Sequence, residues 1–314
     1  MPPSDPRQPL LAIVGPTAVG KSSLAVDLAR KLDGEVVNAD SRQVYRGMEI
    51  GTAVPSPEER AAAPHHLYGI VTPDQGFNLA RFLALATETI EGIHARGRLP
   101  ILVGGTGQYV WALLEGWRAP SVPPDPQLRR ELEAEAERDG PEALHRRLGV
   151  VDPTAAARID PRNVRRTVRA LEVHHATGVP FSLAGRRATP PYRPLVLGLT
   201  TPTRTELHAR IDARVDAMMA SGWLDEVRRL LDQGHLAGLP ALSSVGYRDL
   251  SRHLAGEMGL EEAVRSVKAG HRQLVRRQRT WFKPDDPRIR WIVVGEGAAS
   301  EAETLARGLV GREG

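Results

Sequence analysis

A short, wholly apolar run, Leu10-Leu11-Ala12-Ile13-Val14, leads directly into Gly15-Pro16-Thr17-Ala18-Val19-Gly20-Lys21-Ser22. These eight residues form a complete G-x-x-x-x-G-K-S/T pattern, and it stands in the required setting, after a buried strand and before a helix. The helix is expected over Ser22–Leu32, where Leu24, Leu28 and Leu32 recur at i, i+4 and i+8. The glycines let successive backbone N–H groups turn toward phosphate oxygens, and the helix N-terminus adds positive potential. Lys21 contributes a point charge, and the Ser22 hydroxyl is the candidate ligand for Mg²⁺. A strand buried on both sides needs parallel neighbours with crossover helices, so this one feature commits the chain to an α/β architecture. It fixes phosphate geometry but not a reaction.

The remaining pattern extends that architecture. Val36-Val37 begins a second strand ending at Asp40, Leu79–Ile93 reads as a helix, and Pro100–Val103 is a third strand running into Gly104-Gly105. Near Leu114 the pattern changes, and a proline-rich connector over residues 119–126 introduces four short helical segments, Arg129–Arg138, Pro141–Leu148, Asp152–Ile159 and Arg162–His175. A strand resumes at Leu195–Leu199, followed by helices at Arg204–Met219, Leu224–Asp232 and Glu261–Lys283, a strand at Trp291–Val294 and a helix at Glu301–Leu309. The expected fold is α/β, with a mostly parallel P-loop sheet and a helical insertion domain. Residues 1–113 and 195–314 would form the catalytic core and 114–194 the insertion.

The 314 residues contain no cysteine. Cysteine nucleophiles, disulfide scaffolds and thiolate-ligated metal centres are thereby excluded. No apolar run is long enough for a bilayer, and the N-terminus lacks a basic segment followed by an apolar one; a soluble, cytoplasmic, monomeric protein is the expectation. Net charge is only +4, but its distribution is uneven. From Arg265 to Lys283 there is no acid, while Arg265, Lys268, Arg272, Arg276, Arg277, Arg279 and Lys283 are basic. A second cluster comprises Arg158, Arg162, Arg165, Arg166 and Arg169. Both point to a polyanionic partner, although solvated helix faces carry charge as well.

Asp40 lies at the carboxyl end of a strand, where open α/β sheets place their ligands. It opens Asp40-Ser41-Arg42-Gln43-Val44-Tyr45-Arg46-Gly47-Met48. Together with the phosphate loop, this segment resembles the tRNA dimethylallyltransferases. The resemblance continues in the same order through Pro64-His65-His66-Leu67, Leu102-Val103-Gly104-Gly105-Thr106-Gly107 with Tyr109, Arg169-Ala170-Leu171-Glu172-Val173, Arg210-Ile211-Asp212-Ala213-Arg214, Val245-Gly246-Tyr247-Arg248, and Arg277-Gln278 with Thr280-Trp281. One departure is Val54, where members of the family often carry lysine.

The resemblance implies transfer of a dimethylallyl group from dimethylallyl diphosphate to N6 of the adenosine 3′ to the anticodon, assisted by Mg²⁺. On that basis the phosphate loop, Gly15 to Ser22, holds the donor's diphosphate. Asp40 is the general base, and Lys21 and Arg214 stabilise the leaving group. Arg210, one turn from Arg214, is the residue most easily confused with it. Thr106 either hydrogen-bonds near the reacting groups or caps the following helix. Contacts with tRNA are implied at Asp40, Ser41, Arg42 and Gln43, at Thr106 and Arg129, and at Arg165, Arg166, Thr167, Val168 and Arg169. They are further implied at Ser243, Ser244, Val245, Gly246, Tyr247 and Arg248, and at Arg276, Arg277, Gln278, Arg279, Thr280, Trp281, Phe282 and Lys283. Arg272, Arg276, Arg279 and Lys283 share one helical face and Val264, Val267, Leu274 and Trp281 another. Trp281 and Phe282 offer rings for stacking a base, with the core as the commoner fate of Trp281. A small-molecule P-loop kinase, an adenylate isopentenyltransferase, and a non-catalytic RNA-binding protein or RNA-stimulated ATPase are the competing readings of the same loop.

Overall fold

A computed structural model describes residues 7–120, 122–185, 188–236 and 238–311. The N-terminal residues 1–6 and Ser121 of the connector lie outside them. The elements run β1 (Gln8–Val14), α1 (Lys21–Lys31), β2 (Gly34–Asn38), α2 (Glu49–Thr52), α3 (Pro57–Ala62), β3 (His65–His66), α4 (Leu79–Ala95), β4 (Leu99–Val103) and α5 (Gly107–Leu114). Next come α6 (Pro126–Asp139), α7 (Pro141–Val151), α8 (Pro153–Ala156), α9 (Val164–Thr177) and α10 (Phe181–Ala184). The chain ends with β5 (Tyr192–Thr200), α11 (Arg204–Ala220), α12 (Trp223–Asp232), α13 (Tyr247–Leu254), α14 (Leu260–Trp281), β6 (Ile289–Val293) and α15 (Ala298–Val310).

The six strands form one sheet in the order β3-β2-β4-β1-β5-β6, and every pairing is parallel. β1 sits in its interior, with Leu11 opposite Ile101 on one side and Leu195 on the other. Because all strands point the same way, the loops after β1, β2 and β4 emerge at one edge. That places the phosphate loop, the Asp40 segment and the Gly104-Gly105 turn together, as the sheet rule anticipates. Leu11, Ile13, Leu28, Ile101, Leu197 and Ile292 are buried in the core around this sheet. At Gly15 the backbone has φ 131°, and a Cβ there would lie 2.4 Å from the Leu199 carbonyl oxygen of β5. Only glycine fits at this bend between strand and loop.

The chain divides into two compact units, Met1–Leu114 with Pro191–Gly314, and Glu115–Pro190. Among the described residues the regular elements of the second unit are all helices, and it has its own core, including Leu132, Leu144, Leu148, Ile159, Val168 and Leu171. Its proposed arginine surface is smaller than the sequence implied. Glu172, 1% exposed, accepts hydrogen bonds from Arg129 Nε (2.7 Å) and Nη2 (2.8 Å), from Arg169 Nη1 (2.5 Å) and from the Asp125 amide (2.8 Å). Arg129 and Arg169 therefore serve first to neutralise a buried carboxylate, whose own pKa is held down to about 2 against the opposing effect of burial. Thr167 and Val168 are buried, so their side chains offer nothing to a polyanion, whereas Arg165 and Arg166 stand exposed. No helix among the described residues is long and apolar enough to cross a membrane.

Candidate active site

The phosphate loop, the β2–α2 segment, the β4–α5 turn and one side each of α11 and α14 enclose a cavity of about 640 Å³. Its wall includes Lys21, Ser22, Asp40, Thr106, Arg214 and Gln278. Gly20 begins α1 in the left-handed conformation, and the Lys21 ammonium donates to the Pro16 carbonyl at 2.7 Å. Burial, reinforced by the Arg214 charge and opposed by Asp40, lowers the Lys21 pKa to about 8. Arg214 is shifted downward as well, chiefly by burial, with Asp40 and Glu59 opposing the shift. Arg210, in contrast, bonds Glu206 on the outer side of α11 at 2.9 Å. Lys21 and Arg214, with Arg42 and Arg277, thus face the cavity beside the carboxylates of Asp40 and Glu59, and Arg214 forms no ion pair among the described residues. Such an arrangement awaits an anion.

Asp40 is positioned by local bonds at every step. Asn38, 1% exposed, accepts from the Asp40 amide at 2.8 Å and donates to the Leu67 carbonyl at 3.0 Å. Asp40 Oδ1 then accepts from the Arg42 amide at 2.8 Å, which is the side-chain turn typical of Asp. Thr106 Oγ1 accepts from the Ser41 amide at 2.9 Å and donates to Ser41 Oγ at 3.2 Å. The Thr106 hydroxyl therefore ties the β4–α5 turn to the residue beside Asp40, and the alternative of a helix cap is set aside. At Gly104, on the same turn, a Cβ would meet Ala39 backbone atoms at 2.3 Å, so the two loops touch because the residue is glycine.

Several residues assigned to tRNA have other positions. Gln278 is buried, accepts from the Thr17 amide at 3.1 Å and donates to the Gly105 carbonyl at 3.3 Å; it bridges the phosphate loop and the β4–α5 turn. Phe282 is 2% exposed, so its ring cannot stack a base, while Trp281, expected mainly in the core, is 36% exposed and lines the cavity. Tyr247 is fully buried and donates its hydroxyl to Glu226 at 2.6 Å. Arg272 is engaged by Asp212 at 2.6 Å and Lys268 by Asp216 at 2.8 Å. Arg276, Arg277, Arg279 and Lys283 remain exposed. Arg42 donates to the Pro240 carbonyl at 2.7 Å, Gln43 to the Thr52 and Ala53 carbonyls at 3.0 and 2.8 Å, and Ser243 to the Pro240 carbonyl at 2.6 Å. Ser244 is buried and Val245 half-buried on the cavity wall, and Arg248 is exposed.

Glu226 is a residue that sequence alone does not single out. It is 2% exposed, and its carboxylate accepts from the Ile50 and Gly51 amides at 2.7 and 3.1 Å as well as from Tyr247. Burial raises its pKa in spite of these bonds. Through them it fixes α2, and so the Gly51–Val54 wall of the cavity. Nothing in its local sequence distinguishes it from an exposed helix acid; its partner Gly51 lies 175 residues away. Glu226→Ala leaves three donors unsatisfied and is expected to cost about 3 kcal/mol in urea unfolding. A loss below about 1 kcal/mol would deny it the anchoring role.

Among the described residues no three His, Cys, Asp or Glu side chains converge to hold a metal. The donor set instead suits a magnesium ion carried by phosphate oxygens, which takes few protein ligands; Ser22 lines the cavity in the first turn of α1.

The IPP transferase family model matches residues 43–285. The chain belongs to the IPP transferase family. An isopentenyl transferase model also matches residues 8–65. The IPP transferase chain is 56% identical over 275 residues to the tRNA dimethylallyltransferase of Roseiflexus castenholzii, covering 88% of this chain and 90% of that relative. With the tRNA isopentenylpyrophosphate transferase of Bacillus halodurans it shares 41% identity and a TM-score of 0.72, over 98% of each chain. A eukaryotic dimethylallyltransferase described as acting on tRNA gives a TM-score of 0.79 at 28% identity, over 96% of this chain and 78% of the other.

Proposed function

We propose that this IPP transferase moves a dimethylallyl group from dimethylallyl diphosphate to N6 of the adenosine 3′ to the anticodon of tRNA, giving N6-isopentenyladenosine. The observation that carries this reading is the pairing, in one cavity, of two cations lacking an acidic partner with the carboxylate of Asp40. Loop amides, Lys21 and Arg214 hold the diphosphate and stabilise the charge that grows on it as the allylic carbon–oxygen bond breaks. Ser22 and the donor's own phosphate oxygens would hold a magnesium ion, which would supply further positive charge to the leaving group. The adenine amine forms its new bond to the allylic carbon and gives up a proton to Asp40. Diphosphate departs, so atoms and charge balance. Thr106 keeps the Asp40 segment against the β4–α5 turn throughout.

An adenine stacked in the anticodon loop cannot reach such a cavity, so the base is extruded into it. Trp281, at the cavity wall, is the ring available for stacking. Arg276 and Arg279 meet the phosphate backbone, as do Arg165 and Arg166 of the helical unit. Arg276→Ala or Arg279→Ala should weaken tRNA binding and reduce the slope of log affinity against log salt by about one. Slopes identical to wild type for both would mean a merely solvated face.

Digesting unmodified tRNA after incubation with dimethylallyl diphosphate, Mg²⁺ and the protein tests the reaction. N6-isopentenyladenosine at the position 3′ to the anticodon is the expected product. An unmodified tRNA, with free adenosine monophosphate prenylated instead, would favour a nucleotide-directed transferase.

A further inference from the structure

One stripe of α14 faces the cavity. His271, Leu274, Gln278 and Trp281 line it at i, i+3, i+7 and i+10. Gln278 is committed to Thr17 and Gly105. His271 lies two turns earlier on the same face, about 10 Å along the helix axis. It is 7% exposed, and its Nε2 is buried without a hydrogen-bond partner. A buried polar atom in this condition is costly and uncommon, and calls for an explanation.

The surroundings provide one. The same cavity holds Lys21, whose ammonium reaches only the Pro16 carbonyl, and Arg214, which has no ion pair among the described residues. Lys21, Arg214 and His271 thus share a wall on which cationic side chains, with Arg42 and Arg277, outnumber the carboxylates of Asp40 and Glu59, a composition complementary to an anionic ligand rich in acceptor oxygens. We propose that His271 is a binding group for the prenyl donor, its Nε2–H donating a hydrogen bond to a diphosphate oxygen held by Lys21 and Arg214. This rests on the donor site proposed above. The imidazole is suited to the task because it stays neutral: burial, with the Arg214 charge adding to it, pushes its pKa down to about 4. A further hydrogen bond is gained without adding positive charge beside Lys21 and Arg214, which already repel each other.

The test uses inorganic diphosphate with Mg²⁺, titrated calorimetrically into the wild-type protein and the variants His271→Leu, His271→Asn and His271→Gln. Leucine fills the space without a donor, and asparagine's amide falls short of the Nε2 position. Both are expected to weaken diphosphate binding on the order of tenfold or more, as loss of a hydrogen bond to a charged group does. Glutamine, which restores an N–H at similar reach, is expected to remain within about threefold of wild type. The KM for dimethylallyl diphosphate should rise by the same factor in the leucine and asparagine variants, with the KM for tRNA unchanged. Should the leucine variant misfold, the asparagine and glutamine pair decides. Wild-type affinity in both the leucine and asparagine variants would overturn the assignment of His271 while leaving the donor site standing. Failure of the wild-type protein itself to bind diphosphate would overturn the donor site, and the assignment with it.

Discussion

Asp40→Ala should reduce the rate of prenyl transfer by between about 10²- and 10⁴-fold, the usual range for removing a general base. The loss belongs in kcat, because the amine is a poor nucleophile only until its proton has somewhere to go. Binding of tRNA should stay within about threefold of wild type, since phosphate contacts carry most of its affinity. Diphosphate binding should hold or improve, because the substitution removes a negative charge facing Lys21 and Arg214. The alanine also deletes the acceptor for the Arg42 amide. Asp40→Asn keeps that acceptor and removes only the charge, so it separates a lost base from a disturbed loop. An asparagine variant that turns over at the wild-type rate would remove Asp40 from the chemistry.

Arg214→Ala is expected to lower kcat/KM for dimethylallyl diphosphate by about 10²- to 10³-fold, as loss of a preorganised charge at a developing anion does. The companion substitution Arg210→Ala should change it less than about threefold. The two arginines are one helical turn apart on α11, yet Arg210 pairs with exposed Glu206, a contact worth about 0.3–0.5 kcal/mol. Arg214 is turned into the cavity among the phosphate-facing groups. Steady-state kinetics on the two variants, with thermal unfolding as a check on folding, make the comparison. Equal effects would mean that neither side chain meets the donor.

That contrast also marks how far the sequence could be read. The strand–loop–helix of the phosphate site was legible because its glycines, lysine and serine are contiguous and their geometry is local. The parallel sheet followed from buried apolar runs alternating with helical periodicity, and the edge that carries Asp40 followed from the sheet. Burial inside the helices was less legible. Periodicity tells that α14 has faces, but not that one meets Asp212 and Asp216 while another lines a cavity. For the same reason Arg272 and Lys268 read as free cations and are paired. The resemblance implies Arg129 as a tRNA contact, and its bond to Glu172, 43 residues on, was not legible beside that. α5, with all but one of its residues buried, carries no amphipathic pattern that could announce it. Glu226 and His271 gave no local sign either, since each acts through partners brought near only by the fold.

The claim at the centre of this account is that the phosphate loop holds the leaving group of a prenyl donor and not a nucleotide triphosphate. The most direct measurement is single-turnover transfer of labelled dimethylallyl from its diphosphate into unmodified tRNA, with Mg²⁺ present and ATP omitted. Label should enter the tRNA at full extent without ATP, and release one diphosphate for each prenyl group transferred. No incorporation, together with hydrolysis of added ATP or passage of its phosphate to a small acceptor, would contradict the account and make the loop a nucleotide site.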